Sequence, residues 1–188
     1  PRNTEYHAEV GLRMMMGTMA RELVKYDRGM KPILSFAKSH YFRSHVRVLG
    51  KVTAADETLA QIGFVMQCPK CLYRAEQKGG LLPKTHICPH CGVETIPVGP
   101  LWMGPLQEKE VLAEMQTALA DMQFGTKRQM EKMLTFLLAE PDTCTYYDYH
   151  IVSRNMKVSP PNMEELIESL NEAGYYTTRT HFCDTGIK

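Results

Sequence analysis

Residues 68–91 read CPKCLYRAEQKGGLLPKTHICPHC. Cys68, Cys71, Cys88 and Cys91 form C-x2-C-x16-C-x2-C, inside the spacing of a four-cysteine zinc site. Each pair predicts a tight turn whose backbone amides face the thiolates. Two such turns brought together supply the tetrahedral sulfur set that zinc prefers. For the pairs to meet, the chain between them must reverse, and Gly79-Gly80 suits that reversal. Lys70 and His90, one per turn, soften the charge of four thiolates on one dication. Four protein ligands leave no open position, so the expected role is structural.

Rival readings of the thiols are weaker. Disulfides need an oxidising compartment, and the opening PRNTEYHAEV has no apolar signal segment. Six cysteines without an export signal point to a reducing, intracellular and cytoplasmic setting. A redox Cys-x-x-Cys is expected once, near a βαβ pattern. Four thiolates also suit an iron–sulfur cluster, but the paired turns favour zinc. Cys144 and Cys183 have no partner at ligand spacing and read as ordinary small residues.

The net charge of +1 names no partner, so any affinity for a polyanion must come from local clustering. No apolar run approaches the roughly 18 residues of a membrane span. The 13 methionines read mainly as adaptable core filler.

Leu12, Met15, Met16, Met19 and Leu23 recur at helical spacing and predict a helix over 8–27. Arg13, Arg21 and Lys25 fall off its stripe, and Gly29 is a plausible stop. Strands follow over 32–38 and 41–49. In the second, Phe42, Val46 and Val48 are expected inward, with Tyr41, Arg43, His45 and Arg47 on the opposite face. That face is either a solvated sheet surface or an RNA-facing strip, in which Arg grips phosphates and Tyr stacks a base. A short helix over 53–62 with Thr53 as its cap, and a strand over 63–67, lead into the cysteines. Two Gly-Pro pairs in 95–107 favour an extended, bent path, with Trp102 as buried packing.

From residue 108 the pattern turns helical. Val111, Leu112, Met115, Leu119 and Met122 share one side of a first helix, ended at Gly125. Thr126 with Gln129 is a capping-box pattern for the next, which buries Met130, Met133, Leu134, Leu137 and Leu138. A short helix over 148–157, a turn at 158–161, and a helix capped by Asn162 and closed by Gly174 follow. YYTTRTHF (175–182) reads as a strand. This order is that of a helix-turn-helix with a wing-like end. The expected fold is α+β: an antiparallel sheet with helices and a zinc-ribbon-like insertion in 1–107, then a winged-helix-like helical lobe in 108–188.

The strings LRMMMGTMARELVKYDRGMKPILSFAKSHYFRSHVRV, GFVMQCPKC, GPLWMGPL and SPPNMEELIESLNEAGYYTTRTHFCDTGIK span nearly the whole chain. Together they resemble the C-terminal part of the tRNA guanine-26 N2-dimethyltransferases, most of all the archaeal type. The resemblance implies a tRNA-holding domain joined to an N-terminal Rossmann-type domain that binds S-adenosylmethionine and methylates the exocyclic amine of a guanine. No Gly-rich adenosyl loop and no Asp-Pro-Pro motif occurs here. The chemistry is therefore expected outside this chain, which reads as part of a longer polypeptide, inactive alone. Expected RNA contacts are Arg43, His45 and Arg47 on the sheet, Arg179, His181 and Lys188 on the wing, and Arg154 and Lys157 before the last helix, the alternatives being a satisfied packing residue for His181 and a frayed terminus for Lys188. The competing expectation is a stand-alone zinc-bearing adaptor for nucleic acid or protein.

Overall fold

The computed structural model describes residues 4–80 and 82–188. Helix α1 (His7–Val24) leads into a long hairpin of β1 (Gly29–Lys38) and β2 (Tyr41–Leu49). Helix α2 (Val52–Ala60) and strands β3 (Ile62–Gln67), β4 (Arg74–Lys78) and β5 (Ile96–Trp102) follow. Then come α3 (Lys109–Ala120), α4 (Lys127–Ala139), β6 (Tyr147–Asp148), α5 (Tyr149–Met156), α6 (Met163–Glu172) and β7 (Gly186–Ile187). The sheets are antiparallel: β1-β2, β4-β3-β5 and β6-β7. No helix among the described residues is long and apolar enough to cross a membrane.

Helix α1 forms where its apolar stripe predicts. Leu12, Met16 and Ala20 bury against Met30, Ile62, Trp102 and Leu106, with Met15, Met19 and Leu23 at the margin. A turn further toward its N-terminus, Val10 joins Tyr6, Val65, Leu101, Met103, Cys144 and Tyr146 in a second cluster. The helices α3 and α4 pair through Leu112, Leu119, Leu134 and Leu137, and this apolar seam rests on Leu34 and Phe36 of β1. Residues 107–108 are pinned to the same strand: Gln107 Oε1 accepts from the Ser35 amide at 3.1 Å, and the Glu108 amide donates to Ile33 O at 2.9 Å. Lys109, at the start of α3, donates to the carbonyls of Leu138 (3.0 Å) and Glu140 (2.7 Å), covering the end of α4.

Several expectations change. Helix α1 stops at Val24, and Gly29 opens β1 instead of ending the helix. A Cβ at Gly29 would lie 2.5 Å from Ala54 O, so glycine there lets α2 sit directly on the strand. Thr53 does not cap α2, whose N-cap is Lys51 without a side-chain bond. Thr58 is the useful threonine, donating to Ala54 O at 2.7 Å and accepting from the Met30 amide at 2.8 Å. On β2 Val46 packs on the main core, and the Phe42 ring lies over Gly11 of α1. Val48 is 51% and Phe42 43% exposed. Among the described residues the strand pairs only with β1, so it is an edge with one neighbour and its side chains stay largely open to solvent. Met122 and Met130 are also exposed, at helix ends beyond the α3–α4 seam. The Thr126–Gln129 box does not form, because the Thr126 side chain makes no cap bond and Gln129 turns toward Lys38.

In the last third, α5 and α6 stand in the expected order around a turn. Asp148 caps α5, Asn162 caps α6 through the Glu164 and Glu165 amides, and Gly174 follows α6 at φ +90°. The strand expected over 175–182 is much shorter. Backbone bonds tie only Thr178 and Thr180 to Lys188 and Gly186, and the wing is completed by the β6-β7 pair. β-Branched and aromatic residues favour extended backbone, but a strand needs a partner along its length.

The sheet centre gives a sharp test of packing. A Cβ at Gly63 of β3 would fall 2.0 Å from Gln77 O and 2.9 Å from Met103 Cγ, one of them immobile backbone. Gly63→Ala is expected to cost about 1–3 kcal/mol through forced displacement of β4, read as a lower denaturant midpoint with an unchanged m-value.

Candidate metal centre and nucleic-acid interface

The β3-β4 hairpin and the start of β5 end in two turns built alike. The Cys68 amide donates to Tyr73 O at 2.8 Å and the Cys88 amide to Val93 O at 2.9 Å. In each turn the residue after the second cysteine has positive φ: Leu72 at 65° and Gly92 at 69°. The reversal falls at Gly79 and Gly80, whose amides both donate to Ile62 O. The turns bring Cys68, Cys71, Cys88 and Cys91 together with every Sγ within 4.8 Å of the others. The closest approaches are Cys68–Cys91 at 3.3 Å and Cys71–Cys88 at 3.4 Å.

These separations are far above the ~2.05 Å of a disulfide. They are close to the sulfur–sulfur edge of roughly 3.8 Å that follows from tetrahedral geometry and Zn–S bonds of about 2.3 Å. Proton sharing in the cluster is uneven. Burial opposes ionisation of Cys68, but the Cys71 and Lys70 amides that donate to its sulfur outweigh it and hold the thiol down to about 6. The Tyr73 amide favours a Cys71 thiolate, yet burial and the neighbouring sulfurs win and push it up to about 12. Four thiols this close ionise together only around a cation, so the donor set fits zinc. Cys144 lies outside the cluster, and burial pushes its thiol up to about 11, consistent with its reading as an inert small residue. All six cysteines are free of disulfides.

The cationic residues separate into groups. Arg43, His45 and Arg47 are exposed on β2, with the Arg43 guanidinium 6.0 Å from the Tyr41 ring centroid. The strip is not purely cationic, because Lys31, opposite Arg47 in the register, pairs with Glu108 at 2.6 Å. Arg154 and Lys157 project at the end of α5. Arg179 is partly committed to Glu164 at 3.2 Å.

Lys188 and His181 are corrected: both lie inside. The Lys188 side chain is 1% exposed, 2.9 Å from Glu9 Oε1 and 3.9 Å from Glu140. The buried His181 ring meets Glu140 Oε1 through Nδ1 at 2.6 Å, while Nε2 accepts from the Ala37 amide at 3.4 Å. Both are spent on carboxylates and lie away from the expected surface. Arg13, read as off the stripe, is 1% exposed and pairs with Glu9 at 2.8 Å. It also donates to the carbonyls of Trp102 and Gly104, each at 2.9 Å. Arg74 lies between the rings of Tyr6 (4.1 Å) and Tyr147 (4.2 Å), pairs with Glu5, and donates to Thr145 Oγ1 at 3.0 Å. It ties the base of the cysteine hairpin to the 143–148 segment.

A mixed α/β chain with antiparallel sheets and a four-thiol insertion is the class that fold and cluster define. The model of the N2,N2-dimethylguanosine tRNA methyltransferase family matches residues 1–188, and the chain belongs to that family. It is 94% identical over its whole length to a tRNA (guanine(26)-N(2))-dimethyltransferase of Methanocorpusculum labreanum, and 47% identical to that of Methanoculleus marisnigri. The chain spans about half (50%) the length of each of these relatives. Among solved structures it is similar to Trm1 from Pyrococcus horikoshii in complex with S-adenosyl-L-methionine. That likeness has a TM-score of 0.88 at 34% identity and covers 100% of this chain and 48% of the other.

Proposed function

We propose that this chain is the tRNA-binding C-terminal part of an S-adenosylmethionine-dependent methyltransferase that mono- or dimethylates the exocyclic N2 of guanine 26 in tRNA. The observation that carries the reading is a likeness covering the whole chain but only half of its relatives, one of them solved with the methyl donor. The donor pocket and the groups acting on the guanine amine belong to an N-terminal methyltransferase domain of the same polypeptide, which is this chain's partner besides tRNA. The protein is intracellular. Cys68, Cys71, Cys88 and Cys91 hold a structural zinc that supplies no chemistry to the reaction and fixes the two turns. Residues 1–107 and 108–188 act as two lobes of one RNA-facing unit.

Arg43, His45, Arg47, Arg154, Lys157 and the exposed part of Arg179 grip the backbone of the folded tRNA, positioning the target base without reading sequence. The test is methyl transfer by the full-length protein to unmodified tRNA. Label is expected at N2 of guanine 26 and lost when that guanine is replaced by adenine; no guanine methylation under any condition overturns the reading. The chain alone is expected inactive. Its tRNA affinity should fall with salt, by about 0.7–0.9 in log–log slope per phosphate neutralised. Arg43→Ala with Arg47→Ala should flatten that slope, and an unchanged slope removes β2 from the interface.

A further inference from the structure

The turn between β1 and β2, one side of α4 and the 181–184 segment enclose a cleft of about 510 Å³. Its lining includes Lys38, Ser39, Gln129, Lys132, Phe136 and Phe182. Lys38 and Lys132 come from different elements, and among the described residues neither has an ion-pair partner. Lys51, Lys70, Lys84, Lys109 and Lys157 also lack one among the described residues, so what sets Lys38 and Lys132 apart is that both line one cleft. What Lys38 meets is neutral, the Gln129 side-chain oxygen at 3.5 Å. The Lys132 ammonium lies 5.6 Å from the Phe136 ring centroid. Two unpartnered ammonium groups lining one cleft repel each other, and an anion between them relieves that repulsion.

The cleft floor is preformed. His181 is fixed by Glu140 on one side and by the Ala37 amide on the other, which clamps the end of β1 to the 181–184 segment. Asp184 is the one acidic residue of the lining. The position is continuous with the strip on β2: Lys38 is the register partner of Tyr41, and Arg43 leans on the Tyr41 ring. Cations therefore run from Arg43 over the hairpin turn into the cleft.

We propose that this cleft is a phosphate-binding site for the RNA backbone, resting on the tRNA-binding reading above. Lys38 and Lys132 neutralise neighbouring backbone phosphates, while the Ser39 hydroxyl and the Gln129 amide supply neutral donors. The site extends the β2 strip around the hairpin and gives the tRNA a recessed anchor where an open sheet face gives only surface contacts.

The experiment measures tRNA affinity of the full-length protein across a salt series. Lys38→Met with Lys132→Met should lower the log–log slope by about 1.4–1.8, for two phosphates at roughly 0.7–0.9 each, and weaken binding at least tenfold near 0.1 M salt. Lys38→Arg with Lys132→Arg keeps the charges and should bind as the parent does. Gln129→Glu supplies Lys38 with a carboxylate and should weaken binding without deleting a cation. Unchanged slope and affinity in the methionine and glutamate variants, with normal binding by the parent, overturn the cleft and leave the tRNA reading standing. Lysines that inorganic phosphate protects from acylation, in a protein whose variants bind tRNA normally, also overturn it by marking a free-anion site. A parent that binds no tRNA overturns both readings.

Discussion

Glu9→Ala is expected to lower the unfolding free energy of the chain by about 3–5 kcal/mol, the cost of breaking a buried ion pair from one side. For a chain of 188 residues that corresponds to roughly 10 °C of melting temperature. Glu9 is 0% exposed and is the shared carboxylate of Arg13 at 2.8 Å and Lys188 at 2.9 Å. Removing it leaves Arg13 desolvated without a counter-charge and Lys188 with only the more distant Glu140, at 3.9 Å. A glutamate–arginine pair at i,i+4 on an exposed helix contributes only ~0.3–0.5 kcal/mol, so the size of the loss reports burial. Glu9→Leu with Arg13→Met should recover part of the loss, because matched apolar replacement removes both desolvation penalties. Recovery stays incomplete because the carbonyls of Trp102 and Gly104 lose their donor and Lys188 its closest carboxylate. A single-variant loss below about 1 kcal/mol would mean that water reaches the cluster.

The same cluster fixes the acid response. Burial pushes the Glu9 carboxyl up, but Lys188 and Arg13 together outweigh it and hold it below the usual carboxylate range. Glu140 is likewise buried, and donation from His181 with the charge of Lys188 brings it down. A carboxyl whose folded value is depressed contributes stability that is fully present above its unfolded value of about 4.3. That contribution disappears as pH falls through the lower folded value. Denaturation midpoints should therefore vary little from these two groups above about pH 5 and drop below about pH 4, and Glu9→Gln should remove part of the drop.

What could be read without coordinates follows from the range of the interaction. The cysteine turns, the Leu12–Met16 stripe and the Asn162 cap are encoded by residues close in sequence, and each appears where its spacing places it. Arg13 was misread because an arginine one position beyond Leu12 looks like a solvated flank. Only carbonyls 89 and 91 positions away make it an interior residue. Lys188 and His181 look like free cations in a basic tail, and their carboxylates come from α1 and from the end of α4. Lys38 and Lys132 carry no local signal at all; the packing of α4 beside the β1-β2 turn makes them neighbours of one cleft.

These corrections redistribute charge between stability and binding. His181 and Lys188 hold the 178–188 segment onto α1 and α4 through Glu9 and Glu140. Arg74 does the equivalent for the cysteine hairpin through Glu5 and two tyrosine rings. With these cations committed to the interior, the proposed RNA surface narrows to exposed positions on β2, the hairpin turn, α4, the end of α5 and the exposed part of Arg179. Cations on several elements of one fold are suited to holding a folded RNA in one orientation, since phosphate contacts fix register and not sequence.

Withdrawing the proposed zinc should produce the largest local change. Structural zinc sites supply apparent binding energies of about 10–16 kcal/mol near neutral pH, more than most domains have in total stability. The packing divides residues 63–106 in how far they depend on the ion. Phe64, Val65 and Met66 of β3 and Leu101, Trp102 and Met103 at the end of β5 are buried, most of them against α1 and its neighbours, and need no ion to stay there. The knuckles from 68 to 73 and 86 to 95 have little beyond Cys68, Cys88 and Thr95 buried, and Leu82 and Ile87 are exposed. Their order rests on a few backbone bonds and the four sulfurs. A strong chelator, or Cys71→Ser with Cys91→Ser, should therefore remove amide protection over residues 68–73 and 86–95 while that of α1, β3, β5 and the β3-paired part of β4 persists. Hydrogen exchange read by segment distinguishes the outcomes. Loss across α1 as well would mean that the ion holds the core, and full protection of 68–73 and 86–95 in chelator would mean that the cluster needs no ion.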